Sequence, residues 1–578
     1  MKFLKKITND KLFLILLLLI SLGIFLRLND YSEVGYWNDD ISTIPSGLLW
    51  FYPHSYFPGL SGVSEPPLGN MIIGTGCILS GEDFSKVSEI KPTFYPGRGE
   101  LIGSELVKAE GYCHFPIYLF GILFFIMVII LSFSLLERYS AIFAVSFFAF
   151  YPALLSFSRW IHVDVILYFF AAAFLFFMWN FYNSEKSSSK EKTNLVISAI
   201  FLGLASATKF SIGSFIFFGG FIILEKYKEE FLSLLKKVLI IFKLNLADKI
   251  KSIGDCKKPL ILLILFFIIF LAVFLIPFKL NPINAYDTYE RYTTFTSPEF
   301  AKAYFDFNLI RIFTYTFLSQ ANILDTLLFL FSIIIFSKLL FIKKDKREKF
   351  ILSLVVFFLI SAITFSQALD IPRISLPYLI GIVFLMSLAF SSKSYSIFET
   401  FRINKKKIFF AVFILIYIIY SFSIAYLSSP YFITSNPITC HFIRDKCNPG
   451  LAAYSAKSTG NYLNEILKDN ETFIGFEGVI FYYVRREQDL QNFYFEQIVQ
   501  QNLGRLPTAE EKIKYFHPSN QSVRYVLLNA NPISGRDYTD PLLIDLRDNF
   551  EPNHRIILNN KETVWIYDLE NLKENGKN

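Results

Sequence analysis

"NLVISAIFLGLASATKFSIGSFIFFGGFIILE", residues 194–225, reads in two ways, and the course of all that follows turns on the choice. As one long helix it carries the chain across a membrane once. As a short hairpin broken at Lys209 it crosses and returns. The charges downstream decide between them. The next stretch, 226–258, holds nine Lys, and short loops rich in Lys and Arg stay on the cytoplasmic side of a membrane. A single helix exports those nine lysines, whereas the hairpin retains them and sets Lys209 at its outer tip.

The same rule orients the remainder. The 578 residues are 53% hydrophobic and include 67 Phe, and the apolar residues gather in long uncharged runs, the mark of a polytopic α-helical membrane protein. About eleven runs are read as transmembrane helices: 12–28, 115–136, 139–158, 163–182, 194–208, 210–225, 259–278, 320–342, 350–368, 374–391 and 408–427. With the N-terminus inside, "NSEKSSSKEK" (183–192), 226–258, "KKDKREK" (343–349) and "RINKKK" (402–407) all fall in the cytoplasm. Loop lysines thereby account for the net charge of +7, and nucleic-acid binding is excluded as its cause. The first run follows Lys2, Lys5, Lys6 and Lys11, lacks a small-residue cleavage pattern and continues into Arg27-Leu28-Asn29-Asp30. It reads as the retained signal anchor of a multi-pass cell-membrane protein.

On this topology residues 29–114, 279–310, "QALDIPR" (367–373) and everything beyond about 430 lie outside. Residues 1–429 form a membrane domain and 430–578 an extracytoplasmic α/β domain, read as a lid or spacer. In the latter, "AKSTGNYLNEIL" (456–467) and "DPLLIDLRDNF" have helical patterns, and "TFIGFEG", "VIFYYVRR", "VRYVLLN" (523–529) and "TVWIYDL" (563–569) have those of strands. Disulfides are permitted on that side for Cys77 and Cys113 in the first outer loop and for Cys440 and Cys447 at the membrane junction, with the pairing open; Cys256, inside, stays reduced. "NET" (470–472) and "NQS" (520–522) are outer glycosylation sequons. The stretch 226–258 interleaves Lys with Leu, Ile and Phe, as does an amphipathic helix lying on membrane lipid.

Three outer stretches carry candidate chemistry. "YWNDDISTIP" (36–45) sets Asp39 and Asp40 just beyond the first run. "SEPPLGNMIIGTGCILSGEDF" (64–84) follows in the same loop and contains Glu65. "YPALLSFSRWIHVDVILYFF" (151–170) places Arg159, His162 and Asp164 at a helix junction, and ionisable groups at membrane depth are functional candidates by default. Lys209 adds a cation at the same face. Plain readings stand beside the functional one: the acidic pair as solvated residues at a helix end, and Arg159 paired with Asp164. The functional reading is a cation-lined recess flanked by carboxylates, suited to an anionic lipid head group through charge-assisted hydrogen bonds. Asp39, Asp40 and Glu65 also suit a hard divalent cation, although no His or Cys ligand spacing calls for one.

An acidic pair after the first helix, then "PPLG", then a Pro-containing helix end with Arg and Asp, then "GLA..TK", resembles the membrane glycosyltransferases of the GT-C superfamily. In particular it is similar to the dolichyl-phosphate-mannose protein O-mannosyltransferases and the bacterial lipid A aminoarabinose transferases. The likeness covers roughly residues 10–225, with "EPPLGNMIIG" similar to the "HPPLGK" stretch and "NDDISTIPSGL" to the Asp-Glu motif. The chain departs at Asp40, where the family usually has Glu, at Glu65 for His, and at Asn70 for Lys; the "WWDYG" signature of oligosaccharyltransferases is absent.

The resemblance implies an enzyme of protein glycosylation, a mannosyltransferase-like hexosyltransferase using a polyprenyl-phosphate sugar such as dolichyl-phosphate mannose. The acceptor is a hydroxyl on a protein, a glycan or a lipid. Asp39 supplies the base, Asp40 tunes or orients it, and Arg159 and Lys209 hold the donor phosphate, with Glu65, His162 and Asp164 in support. Direct displacement at the anomeric carbon inverts configuration. A lipid donor brings no nucleotide, in keeping with the absence of a GxGxxG or P-loop signature. The alternative is a transporter or flippase of a lipid-linked or anionic solute; the long first outer loop and the lack of internal repeats weigh against it. A cysteine introduced at position 235 is expected to react with an impermeant thiol reagent only from the cytoplasm, and one at 500 only from outside. Labelling of both from one side overturns the hairpin.

Overall fold

Lys209 is where the helix breaks. In the computed structural model the helix Ser189–Thr208 ends at Lys209, whose backbone is extended at φ −156° and ψ 131°; Phe210–Ser214 form a 3-10 turn, and a second helix runs Phe215–Lys226. Lys226 returns to the start of the first helix, its Nζ 2.9 Å from Glu191 Oε1, while Lys209 lies at the opposite end with its Nζ 2.8 Å from Asp164 Oδ1. Residues 194–225 are therefore a hairpin. Lys258, opening the next helix, also reaches Glu191, at 3.5 Å, so 226–258 leaves and re-enters at one end. A reciprocal cap starts the hairpin there: Ser188 Oγ accepts from the Glu191 N–H, and the Glu191 carboxylate accepts from the Ser187 N–H.

The structure describes residues 11–29, 34–36, 40–52, 66–89, 103–233, 257–295, 323–341, 344–364, 372–391, 406–429, 455–468, 470–474, 483–484, 522–530, 541–558 and 561–571. Its membrane half comprises α1 (Lys11–Leu28), α2 (Asp40–Leu48), α3 (Pro67–Ile78), α4 (Gly103–Leu135), α5 (Arg138–Phe150), α6 (Pro152–Phe157), α7 (Asp164–Asn183), α8 (Ser189–Thr208), α9 (Phe215–Lys226), α10 (Lys257–Leu275), α11 (Pro282–Phe295), α12 (Ile323–Phe341), α13 (Lys346–Thr364), α14 (Pro372–Ser387) and α15 (Lys406–Ser428). The described residues of the eleven apolar runs are mostly helical. Among those residues, four helices are long and apolar enough to cross a membrane: Ser104–Leu135, Asp164–Asn183, Lys258–Phe278 and Phe410–Ser428. The run 139–158 is interrupted, because α5 stops at Tyr151 and Pro152 starts a short new helix.

The stretch 29–114 is not plain loop: among its described residues it holds α2, α3 and the first turns of α4. Pro67 at the first position of α3 suits a helix start, where its missing N–H is not needed. Ile44 and Leu48 of α2 are fully buried, and α2 crosses α3 in backbone contact. A Cβ on Gly74 would stand 2.5 Å from the Gly47 carbonyl carbon, and one on Gly47 2.0 Å from the Asn70 oxygen. A disulfide between Cys77 and Cys113, 36 residues apart, ties α3 to α4.

The C-terminal stretch holds α16 (Ala456–Ile466), β1 (Glu471–Ile474), β2 (Ser522–Asn529), α17 (Pro541–Asn549), β3 (His554–Leu558) and β4 (Lys561–Asp568). The sheet order is β1-β2-β4-β3, with β1 parallel to β2 and the other pairs antiparallel. Tyr462 of α16 stacks on His554 of β3 at 3.9 Å. The strand pattern at "VIFYYVRR" is not met at its described residues, Tyr483 and Val484, which lie in a turn of helix and a bend. Cys256, Cys440 and Cys447 lie outside the described residues.

Gly74→Ala is expected to lower the melting temperature of the detergent-solubilised protein, because the added methyl forces two backbones apart, about 1–3 kcal/mol for an overpacked site. Gly111→Ala, in α4 where a Cβ meets nothing within 4 Å, is expected to raise it slightly through helix propensity.

Candidate active site

Two buried guanidinium groups close the C-terminal end of α1. Helices end with carbonyls that lack intrahelical partners, and cationic side chains there satisfy both hydrogen bond and dipole. Arg27, fully buried, donates from Nη1 to Gly23 O at 2.9 Å and from Nη2 to Phe148 O at 3.0 Å, with its guanidinium 4.5 Å above the Phe125 ring. Arg159, in the turn between α6 and α7, donates from Nη2 to Leu26 O at 2.7 Å and to Asn29 O. Asn29 Nδ2 in turn donates to Ser429 Oγ at 3.3 Å, joining the ends of the first and last helices of the membrane half.

Asp164 opens α7, where a carboxylate is favoured by the helix dipole. Its Oδ1 accepts from Lys209 Nζ at 2.8 Å. Its Oδ2 lies 2.8 Å from His162 Nδ1, in ion-pair range but off the hydrogen-bonding line. Gly69 of the "PPLG" stretch presses on this junction: a Cβ there would be 2.5 Å from Val163 Cγ1 and 2.9 Å from Thr208 Cγ2. Three segments more than 40 residues apart in sequence thus meet around residues 69, 159–164 and 208–209.

The sequence-derived site residues are distributed as follows. His162, Asp164 and Lys209 come together, and Arg159 stands in the same turn. Asp164 pairs with Lys209 and His162, and Arg159 donates to carbonyls at the end of α1, rather than the two forming the Arg159–Asp164 pair of the plain reading. The recess read as cation-lined is closed at these side chains, with Arg159 0% and Lys209 2% exposed. Asp40 is the first residue of α2, at the end of a helix docked on the "PPLG" helix. Asp39 and Glu65 lie outside the described residues. Among the described residues no group of three or more His, Cys, Asp or Glu side chains could hold a metal ion.

A cluster near Tyr36 was missed in the sequence. Tyr36 is buried, stacks on His114 at 5.6 Å and donates its hydroxyl to Leu106 O at 2.5 Å. The Tyr36 N–H donates to Tyr483 Oη at 2.6 Å, and the Tyr483 hydroxyl donates to Glu110 Oε1 at 3.2 Å. Burial, then the Glu110 charge, pushes the Tyr483 phenol well above the ordinary tyrosine range, so it serves as a neutral donor. Its only signal in the sequence is a run of aromatic residues.

The fold and the charged junction are those of a polytopic helical membrane protein with a buried ionic centre at one end of its helices. Residues 52–282 match the family described as dolichyl-phosphate-mannose-protein mannosyltransferase, and that match carries the resemblance to the GT-C membrane glycosyltransferases. No curated protein sequence matches the chain. Solved structures with detectable likeness include the S. cerevisiae protein O-mannosyltransferase Pmt1-Pmt2 complex bound to the sugar donor, at 19% identity and TM-score 0.31 over 47% of this chain and 34% of that one. ArnT from Cupriavidus metallidurans bound to undecaprenyl phosphate is 12% identical, TM-score 0.43, over 95% and 97%. The apo oligosaccharyltransferase of Archaeoglobus fulgidus is 14% identical, TM-score 0.45, over 90% and 70%. This chain thus spans about a third of the length of the yeast chain it matches.

Lys209→Met strands the Asp164 carboxylate in a buried setting, for which about 3–5 kcal/mol of destabilisation is expected. Combining it with Asp164→Asn is expected to restore much of that loss. A double-mutant cycle on melting in detergent measures the coupling.

Proposed function

We propose that the protein is a membrane glycosyltransferase that moves a mannose-like sugar from a polyprenyl-phosphate donor to an acceptor hydroxyl at the outer membrane face. The observation that carries this reading is the extent of the family match, 52–282, which takes in the "PPLG" helix, the Arg159–Asp164 turn and Lys209. Those are the segments that pack on one another in the fold.

In this reading the donor brings its own leaving group, a lipid phosphate, and the protein supplies a base and a positive field. Asp39 removes the proton of the acceptor hydroxyl as its oxygen attacks the anomeric carbon from the face opposite the phosphate, inverting the configuration. Asp40, at the start of α2, raises the basicity of its neighbour by like charge or orients the acceptor. Arg27, Arg159 and Lys209 are the described cations of the junction. In a dry setting such fixed charges stabilise the departing phosphate without reorganising. Asp164 holds Lys209 in place from the start of α7, with His162 alongside. The C-terminal stretch stays on the outer side, over the acceptor.

The test is transfer by purified protein from radiolabelled dolichyl-phosphate mannose to an acceptor hydroxyl, on a peptide, a glycan or a lipid. Asp39→Asn is expected to lower the transfer rate by roughly 10² to 10⁴, the usual loss for a general base, with little change in donor affinity. Asp40→Asn is expected to be milder. A dead Asp40→Asn beside an active Asp39→Asn moves the base by one residue, and normal turnover in both removes the assignment. Movement of the donor across a bilayer without bond transfer makes the protein a transporter.

A further inference from the structure

The span Lys258–Phe278 carries exposed apolar side chains along its length, Ile264, Phe267 and Leu271 among them, the surface a membrane helix turns to lipid. Apolar exposure does not stop where that span stops. Ile276, Leu280, Ile283 and Tyr286 are 61%, 63%, 66% and 62% exposed, and they carry it past the end of α10 and onto α11. The chain turns sharply between the two helices. Lys279 and Leu280 both have left-handed backbone, φ 57° and 55°, a conformation that costs a residue with a Cβ about 1–2 kcal/mol. The Leu280 N–H returns to Leu275 O at 2.9 Å. Asn281 Oδ1 then accepts from the Ile283 N–H at 2.9 Å, capping the new helix, whose first residue is Pro282.

With 14 residues, Asn284, Asp287, Glu290 and Arg291 among them, α11 is too short and too polar to cross a hydrocarbon core about 30 Å thick. Its described side chains divide three ways. Ala285 and Thr288 are buried. Pro282, Ile283, Tyr286 and Tyr289 are exposed and, being three or four residues apart, share an apolar and aromatic side. Asp287 stands exposed on the other side, with Glu290 at the border. Tyr289 also packs edge-on against Phe210, ring centroids 5.5 Å apart, and Phe210 meets Phe278 at 6.4 Å. Phe210 directly follows Lys209, so α11 is seated beside the turn that carries the Lys209–Asp164 pair.

We propose that α11 lies along the bilayer surface, with Leu280, Ile283 and Tyr286 in membrane lipid and Asp287 in water, and that it sets the Lys209–Asp164 pair at the level of the lipid head groups. The occupant of the apolar side is bilayer lipid, because that side continues the exposed surface of a membrane span and carries the residue types of an interface. Tyrosines have an apolar body and a polar tip, and the stem of the exposed Lys279 covers apolar surface while its ammonium reaches water. Asp287 and Glu290 are the exposed charges of the helix, so apolar burial and not attraction to anionic head groups holds it there. The placement stands whether or not the protein transfers sugar. Under the function proposed above, a lipid-borne phosphate meets Lys209 without leaving the head-group layer.

The wild-type full-length protein, in phosphatidylcholine bilayers containing a phosphatidylcholine with a photoactivatable diazirine in its acyl chain, is irradiated and digested with trypsin. Cleavage after Lys279 and Arg291 releases Leu280–Arg291 as one peptide. Lipid adducts are expected on that peptide, and adducts confined to residues before Lys279 overturn the proposal. Depth is read from spin labels on Ile276→Cys, Ile283→Cys and Asp287→Cys, one at a time, in a background of Cys256→Ser, Cys440→Ser and Cys447→Ser. The preference for collision with oxygen over a water-soluble nickel chelate is expected to fall severalfold from 276 to 283 and to reverse at 287. Nickel access at 283 equal to that at 287 places the helix in water. Shielding of 283 from both reagents places protein, such as a second copy of the chain, on the apolar side. An oxygen preference at 287 equal to that at 276 sinks the helix into hydrocarbon and takes Lys209 below the head groups. Each of these three results overturns the proposal.

Discussion

The ion pair between Lys209 and Asp164 is the contact on which the arrangement of this membrane half depends. Two charges taken out of water and set 2.8 Å apart gain little in net stability over an apolar pair. They do fix register. Lys209 can meet Asp164 only if α8 ends where it does and α7 begins where it does, and that requirement sets the level at which the hairpin turns. A matching constraint holds the other end, where Glu191 gathers Lys226 and Lys258. With both ends pinned by charge, the apolar faces between them can pack through large, permissive contacts such as Phe174 on Phe215 and Phe218 on Phe350.

Positive charge at the other face of the junction is handled differently. Arg27 and Arg159 are spent on carbonyls, closing the end of α1 from two directions. A guanidinium has five donors in a rigid fork, so it can satisfy backbone oxygens and still present charge to its surroundings. Helix ends with buried cations keep a positive field in a place from which water is excluded. This is the setting in which fixed charges act most strongly on an anionic group.

What the sequence made legible was local. An apolar run declares a helix by its length, and the lysines after 225 favour a turn at Lys209, so the hairpin at 194–225 could be read without any contact. Asp164 and Lys209 were both picked out, yet their pairing was not, because they lie 45 residues apart; the plain reading offered Arg159, five residues from Asp164, as a partner instead. Helix α2 was hidden by Pro45 in its middle, and β3 by its brevity, five residues that read as a strand only once β4 lies beside them. The Tyr36, Glu110 and Tyr483 cluster draws on positions spread over nearly the whole chain, and no periodicity connects them.

The crossing of α2 and α3 has a consequence for motion. Gly47 and Gly74 meet backbone to backbone, and a contact without side chains has no rotamers through which to yield. Packed side chains let neighbouring helices slide by small shear steps; two backbones in contact do not. The helix that begins at Asp40 and the helix that carries Gly69 must then travel as one rigid piece. The disulfide from Cys77 to Cys113 couples that piece to the long helix beneath the Tyr36 anchor. Any relative motion on this face has to occur at the ends of that piece rather than within it.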